Sequence, residues 1–214
     1  FKNMTCGEGG AVATSDDAVA ERARCAIDPC HFYWQGRADG LRPFAGAGAR
    51  ASELMGAMLN VQLDRIGAFV EAMRGNRRRL LEDTGGLGNL GPVPAPMHSP
   101  DDDCGAHLFF TLPEPSAARG FARAVGGIVA GKTGRHTFTN WDQVLQREGA
   151  HHPGLDPYAM PQNADCRREI PPGFGARSLD ILARTVFVVT HPDNADADVD
   201  AIIAKIREAA SVAA

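Results

Sequence analysis

A lysine and a glycine-rich turn stand together at the start of this sequence. Lys2 is followed closely by the run Gly7-Glu8-Gly9-Gly10. Glycines there permit positive φ angles and let the backbone approach a ligand closely. A lysine amine in such a cramped, partly dry site has a lowered pKa, so it can attack a carbonyl group and form a Schiff base. These residues make Lys2 a candidate for covalent amine chemistry, although a lysine near glycines is weak evidence by itself. Glu8 is a candidate either for contacting a substrate or for stabilising the turn.

A second segment that could bind a ligand precedes the longest stretch of apolar residues at helical spacing. Arg50 follows Gly46 and Gly48 and comes just before Ser52. A planar guanidinium group matches the geometry of a phosphate, which is one use of an arginine at this position. The alternative is an ordinary ion pair near the start of a helix.

Both segments resemble motifs of the DegT/StrS-like sugar aminotransferases. Residues 2–12 are similar to that family's cofactor-lysine motif, in which a lysine is followed after two residues by Thr or Ser and then by Gly-Glu-Gly-Gly. Residues 46–54 are similar to the family segment Gly-x-Asn-x-Arg-Met-Ser-Glu-Leu, with Gly48 at the position of the Asn. Residues 178–186 resemble a late strand of the family, and a terminal helix follows it. The resemblance therefore extends over the whole chain.

The resemblance implies the carboxy-terminal part of a type I aminotransferase fold that binds pyridoxal 5'-phosphate. Lys2 would carry the cofactor and move the proton between substrate and cofactor. Arg50 would bind near the phosphate in the neighbouring subunit's active site, which implies a homodimer with a shared site. The amino donor would be glutamate or glutamine, and the acceptor would be a nucleotide-linked keto-sugar. Such an enzyme would serve amino-sugar, polysaccharide or antibiotic biosynthesis.

Three other functions remain open on sequence grounds. The first is a non-catalytic or regulatory family member, against which the presence of Lys2 argues. The second is an enzyme of the same fold acting on a cyclitol or a deoxysugar; in the related dehydrating subgroup a His replaces the lysine, so Lys2 favours transamination. The third is a structural module without a cofactor. Gly48 also departs from the family pattern, because it offers a phosphate only a backbone N–H.

The elements that must position these residues follow a mixed α/β pattern. Residues 10–14 predict a short strand, and residues 17–27 predict a helix capped by Ser15 or Asp16. From Ser52, apolar residues at helical spacing predict a long helix whose stripe packs in a core. We expect residues 1–51 to end a large domain and residues 52–84 to form a linking helix region. Residues 85–214 would then form a small α/β domain.

The second half of the sequence predicts a small sheet with helices. Strands are expected at 106–112 and 185–190, and these should share one sheet. Helices are expected at 116–126 and at 196–210, the latter capped by Asp196. Between them, 131–180 is predicted to be irregular. The family resemblance implies that this segment lies over the active site and contributes substrate contacts. The candidates are His136, Trp141, His151, His152 and Tyr158, of which His152 and Tyr158 are preferred. The pair His151-His152 lacks further ligands at metal-binding spacing, so no metal site is expected.

Composition narrows the class of protein. The 214 residues include 22 basic and 26 acidic ones, for a net charge of −4, so neither nucleic acid nor an anionic membrane is an expected partner. Five irregularly spaced cysteines indicate reduced thiols and a cytoplasmic protein. The basic run at Arg74 and 77–79 is expected to be a solvated helix face.

Because the sequence begins at Phe1 directly in a motif, we expect a preceding portion. We also expect these residues alone to self-associate and to be inactive.

Overall fold

A computed structural model describes residues 3–28, 30, 43–84, 99, 102–134, 137–166 and 169–213. Packing divides the chain into two compact units, which run from Phe1 to Phe69 and from Val70 to Ala214. The division into a large domain, a linking helix and a small domain stays a prediction, because packing within this chain does not identify the domains of its relatives.

The first unit contains helix α1, Asp17–Ile27. The Asp16 carboxylate accepts a hydrogen bond of 3.0 Å from the backbone N–H of Val19, as the predicted cap requires. The prediction of a strand at 10–14 is wrong, because these residues belong to no helix or strand. A strand is defined by ladder hydrogen bonds to a neighbour, and no described segment pairs with residues 10–14.

Helix α2 spans Glu53–Thr84 and therefore runs through both units. The hydroxyl of Ser52 accepts a hydrogen bond of 3.2 Å from the N–H of Met55, which confirms the predicted start. The expected core packing of the stripe fails in the first part of the helix, where Leu54 is 79% and Met58 53% exposed. An apolar stripe is buried only where another surface covers it. Further along the helix Met73 is buried, at 2% exposure.

A three-stranded antiparallel sheet organises the second unit. Its strand order is β1-β3-β2, and β3 pairs with both neighbours. In the register, His107 lies opposite Val189 and Ile128 lies opposite Phe187. The strands are β1, His107–Thr111; β2, Ile128–Val129; and β3, Thr185–Val189. The prediction that residues 106–112 and 185–190 share one sheet is confirmed.

Helices and short turns complete the second unit. The helices are α3, Pro115–Val125; α4, Asp142–Leu145; α5, Ala176–Arg184; and α6, Asp196–Ala213. Short 3-10 segments are Ala130–Lys132, Phe138–Asn140, Pro153–Leu155 and Pro161–Cys166. Helices α3 and α6 match the predicted helices at 116–126 and 196–210.

Helix α5 corrects two expectations. The segment 131–180 is not irregular throughout, because α5 begins at Ala176. Residues 178–186, likened above to a late strand of the family, are mostly helical, and strand β3 begins only at Thr185. Leu179, Leu182 and Ala183 recur at the helical spacing of three and four residues. Arg184 also makes an ion pair of 2.6 Å with Asp180 one turn earlier, which supports the helix.

The core of the second unit lies between the sheet and helices α3 and α6. Alternate residues of β1 and β3 face it, because successive side chains of a strand point to opposite sides. The predicted apolar face of α6 is confirmed. The predicted cap is off by one, because Asp196 is the first helical residue and the Asp198 carboxylate accepts from Ala195 N–H at 2.9 Å. The central core residues include Leu80, Leu108, Phe110, Phe121, Val186, Val188, Val199, Ile203 and Ile206.

The basic run on α2 is not the solvated face that its composition predicts. Arg77 is 7% exposed and its guanidinium lies 2.6 Å from the carboxylate of Asp103. Arg79 forms an ion pair of 2.9 Å with Asp196, which ties the end of α2 to α6. A guanidinium is buried only when its charge is paired, and local sequence does not show the distant carboxylates that pair with it here.

Candidate active site

The turn that follows Lys2 is held on helix α2, whereas Lys2 itself lies outside the described residues. The Gln62 side chain donates a hydrogen bond of 3.2 Å to the carbonyl of Thr5. Gly7 adopts a φ of +98°, which a residue with a side chain rarely takes. A Cβ at Gly9 would lie 3.0 Å from the terminal methyl of Met55, so glycine allows this close approach. The glycines of the motif thus shape a turn that rests against α2.

The segment leading to Arg50 is fixed against the end of α1. The Cys25 thiol donates to the carbonyl of Phe44 at 3.4 Å, and the Phe44 N–H contacts the same sulfur at 3.5 Å. The N–H of Ala47 donates to the carbonyl of Ala26 at 2.8 Å. A Cβ at Gly46 would stand 2.3 Å from that carbonyl oxygen, so only glycine fits the present backbone. Sequence reasoning treated Cys25 merely as a reduced thiol and missed this anchoring role.

The backbone at Gly48 explains the departure from the family pattern. Gly48 has a φ of +69°, in the left-handed region. Asparagine is among the few other residues that enter this region readily. Gly48 and the family Asn therefore suit the same local conformation. The substitution removes a side-chain amide and keeps the turn that leads to Arg50.

Arg50 is accessible to a ligand. Its side chain is 71% exposed, and its guanidinium lies 3.5 Å from the carboxylate of Asp28. An exposed pair of this kind contributes only about 0–1 kcal/mol. The fork of the guanidinium therefore retains donors for a phosphate. Glu8 is also exposed, and no hydrogen bond joins its side chain to another described residue.

His152 and Tyr158 belong to the second unit. The ring nitrogen Nδ1 of His152 accepts a hydrogen bond of 3.0 Å from the N–H of Gly154, which caps the turn Pro153–Leu155. Tyr158 is half-buried, and its backbone N–H donates to the Asp156 carboxylate at 2.9 Å. The observed role of His152 is thus local. Substrate contacts by either residue stay a prediction, and His136 lies outside the described residues.

The described part of the chain contains no group of three or more His, Cys, Asp or Glu side chains placed to hold a metal ion. None of its helices combines the length and apolarity needed to cross a bilayer. Cys6, Cys25, Cys30 and Cys104 are free thiols.

A protein-family comparison matches the segments that carry this geometry. The model of the DegT/DnrJ/EryC1/StrS aminotransferase family matches residues 1–121, which include the lysine motif, the Arg50 segment and all of α2. The chain belongs to this family. Members of the DegT family depend on pyridoxal phosphate, so the residues around Lys2 and Arg50 are its candidate cofactor ligands.

Individual relatives agree with the family. The chain is 33% identical over 110 residues to the dTDP-3-amino-3,4,6-trideoxy-alpha-D-glucose transaminase of Streptomyces venezuelae, a match that covers 50% of this chain and 27% of that protein. The crystal structure of S. venezuelae DesV with a ketimine intermediate matches 98% of this chain with a TM-score of 0.60 at 22% identity. A DegT-family aminotransferase from Brucella abortus matches 91% with a TM-score of 0.55 at 18% identity.

These likenesses confirm the predicted fold class, a partial α/β aminotransferase fold. The chain spans about half the length of the solved relatives, covering 49% of DesV and 44% of the Brucella protein.

Proposed function

We propose that this chain works in a pyridoxal-phosphate-dependent aminotransferase that passes an amino group from glutamate or glutamine to a nucleotide-linked keto-sugar. The lysine motif at 2–12, in a chain whose first 121 residues match the aminotransferase family, is the observation that carries this proposal. The named activity of the dTDP-sugar transaminase relative supports the choice of a nucleotide-linked sugar.

Lys2 is the residue to which we assign the covalent and proton-transfer role. The described turn after it is contacted by the Gln62 side chain at the Thr5 carbonyl and approaches Met55 closely at Gly9. When bound, the cofactor would act as the electron sink for the amino carbon. Lys2 would move the proton between the amino carbon of the substrate and the cofactor.

Arg50 is assigned to the cofactor phosphate. Its exposed guanidinium can exchange the weak Asp28 pair for a bidentate contact with a phosphate, and such charge-assisted bonds are stronger. The N–H of Gly48 offers a second donor in place of the family Asn side chain. By the family resemblance, Arg50 serves the partner subunit's site, so the proposal includes a homodimer.

The substrate assignments rest on side chains that remain available. Glu8 is exposed and can accept hydrogen bonds from sugar hydroxyl groups. Tyr158 can offer its phenol group and His152 its remaining ring nitrogen, since Nδ1 is occupied by the Gly154 N–H.

Borohydride reduction followed by peptide mapping tests the role of Lys2. The sequence has three lysines, Lys2, Lys132 and Lys205, so each would give a distinct labelled peptide. In the complete protein, reduction should fix the cofactor on Lys2 and remove the yellow colour. Lys2→Ala should abolish the colour and transamination together, whereas Lys205→Ala should preserve both.

Either of two results would overturn the assignment. Label on any lysine other than Lys2 would move the cofactor to that residue. Retained turnover in Lys2→Ala would show that Lys2 is not required. The amino donor and acceptor would be tested separately, by following glutamate-dependent amination of nucleotide-linked keto-sugars against the free sugars and a cyclitol ketone.

A further inference from the structure

One buried thiol joins helix α1 to the segment that leads to Arg50. Cys25 is the buried residue of α1, at 0% exposure. Its sulfur meets both backbone polar groups of Phe44, because the thiol donates to the carbonyl oxygen at 3.4 Å and accepts from the N–H at 3.5 Å. A thiol is a weak donor and a weak acceptor, and here both capacities are used on one residue. Cys25 therefore holds the start of the segment by its backbone.

Two further contacts hold the same segment on α1. The N–H of Ala47 donates to the carbonyl of Ala26 at 2.8 Å, across the position where Gly46 has no side chain. The guanidinium carbon of Arg22 lies 5.3 Å from the centre of the Phe44 ring, a cation–π contact. Residues 44–47 are thus bound to the last turns of α1 through the backbone and through an aromatic ring.

Arg50 lies between this attachment and a second one on α2. The Ser52 hydroxyl accepts from the N–H of Met55 at 3.2 Å, and the Ser52 carbonyl accepts from the N–H of Gly56 at 3.0 Å. Only residues 48–51 separate Ala47 from Ser52. The backbone position of Arg50 therefore depends on both attachments, and loss of the first would leave the segment held at α2 alone.

We propose that Cys25 is a positioning residue for Arg50: by holding Phe44 on α1, it sets where the Arg50 guanidinium meets the phosphate group of the cofactor. This inference rests on the phosphate role assigned to Arg50 above. A guanidinium binds a phosphate through directional hydrogen bonds, which weaken when the donor is displaced or tilted. Because the Arg50 side chain is exposed and makes only a 3.5 Å pair with Asp28, its placement depends on its backbone.

The selectivity of the complete protein for a phosphate group tests this role without turnover. The two probes are pyridoxamine 5'-phosphate and pyridoxamine, which differ only in the phosphate and carry no aldehyde to react with a lysine. Calorimetric titration gives the ratio of their dissociation constants. Cys25→Ala should lower this preference for the phosphate roughly threefold or more, while pyridoxamine binds as before. A merely structural loss would weaken both probes alike and leave the ratio unchanged, which would refute the inference.

Two other variants serve as controls. Cys25→Ser keeps a donor and an acceptor at the same position, so it should recover most of the preference. If it recovers none, hydrogen bonding by residue 25 is not what positions the segment. Cys104→Ala removes another free thiol, in the second unit, and should leave the ratio unchanged. An equal effect of Cys104→Ala would mean that the loss does not come from the attachment to Phe44.

A double-variant comparison shows whether Cys25 acts through Arg50. Arg50→Gln should lower the preference roughly tenfold or more, because it removes the charged donor. In that background Cys25→Ala should add no further loss, since no guanidinium remains to be positioned. An equal loss in both backgrounds, or none in Cys25→Ala, would overturn the inference and leave the phosphate role of Arg50 standing. An unchanged ratio in Arg50→Gln would remove that role and the inference with it.

Discussion

The two compact units of this chain differ in their sequence motifs and in how many of their residues are buried. Among the described residues before Val70, Cys25 alone is buried, although this region holds the lysine motif and the Arg50 segment. The second unit has few recognisable motifs but encloses a core that joins its sheet to three helices. Residues that do chemistry are recognised from local order along the chain, whereas a core is recognised from periodicity.

This contrast has a physical basis. The ligand contacts proposed for Glu8 and Arg50 require accessible side chains, and both are exposed. The backbone near them has positive φ angles at Gly7 and Gly48. Core residues instead gain stability from burial, which depends on area rather than on exact neighbours. The first unit should therefore respond to changes of backbone geometry, and the second to changes of volume.

The largest effect is expected from emptying the core of the second unit. Ile206 on α6 is completely buried, at 0% exposure. Ile206→Ala should lower the free energy of unfolding by about 2–5 kcal/mol, because it removes apolar contacts and leaves a cavity. Urea unfolding of the full chain, followed by circular dichroism, measures this loss.

Leu54→Ala is the matched substitution in the first unit. Leu54 is 79% exposed, so its truncation should change the free energy of unfolding by no more than about 0.5 kcal/mol. A loss at Leu54 comparable with that at Ile206 would show that the first unit is stabilised by burial after all. The proposed contrast between the units would then fail.

Much of the fold was predictable from the sequence, and the errors share a cause. Helices α1, α2, α3 and α6 carried apolar spacing, start signals or both, and strands β1 and β3 were runs of apolar and β-branched residues. Helix α5 was missed because Gly175, in the left-handed conformation, precedes it and no side chain caps it. The strand at 10–14 failed because its existence depends on a partner rather than on its own residues.

The segments of the candidate site were predicted from the sequence, but the contacts that support them were not. The segment around Arg50 was predicted from local order, and the structure adds the reason for Gly48. The structure also adds the support from Gln62 and Cys25, whose partners lie elsewhere in the chain.

An intermediate effect is expected from a single methyl group at Gly46. A Cβ there would lie 2.3 Å from the Ala26 carbonyl oxygen, so the segment must move away from α1. Gly46→Ala should therefore destabilise the first unit by about 1–3 kcal/mol. Hydrogen exchange at the Ala47 N–H, which bonds to that carbonyl, would report the loss locally.

The control for Gly46 is another glycine of the same unit. Gly56 lies within α2, and a Cβ there would meet nothing within 4 Å. Gly56→Ala should stabilise the helix by roughly 0.5–1 kcal/mol, because alanine restricts the unfolded backbone and favours helix. If Gly46→Ala were equally well tolerated, backbone fit would not govern the first unit.

The smallest effect concerns pH and the sheet of the second unit. The ring of His107 packs edge-on against Phe187, with centroids 5.1 Å apart. Burial lowers the pKa of His107, and the negative charge of Asp103 only partly opposes this shift. The unfolded chain thus binds a proton at His107 more readily than the folded chain does. Stability from this group is complete above the ordinary histidine pKa of about 6.5 and declines as pH falls through the lowered folded-state value.

His107→Gln should accordingly flatten the fall in unfolding free energy between neutral and mildly acidic pH. Urea titrations at several pH values would measure the slope for both proteins. His151→Gln, at an exposed histidine, provides the control. Equal flattening by both substitutions would mean that His107 has no special part in the pH dependence. If the pH dependence of the unfolding free energy is flatter for His107→Gln alone, burial in the second unit affects the stability contributed by a titratable side chain. Arg50 of the first unit is exposed and therefore differs from His107 in this respect.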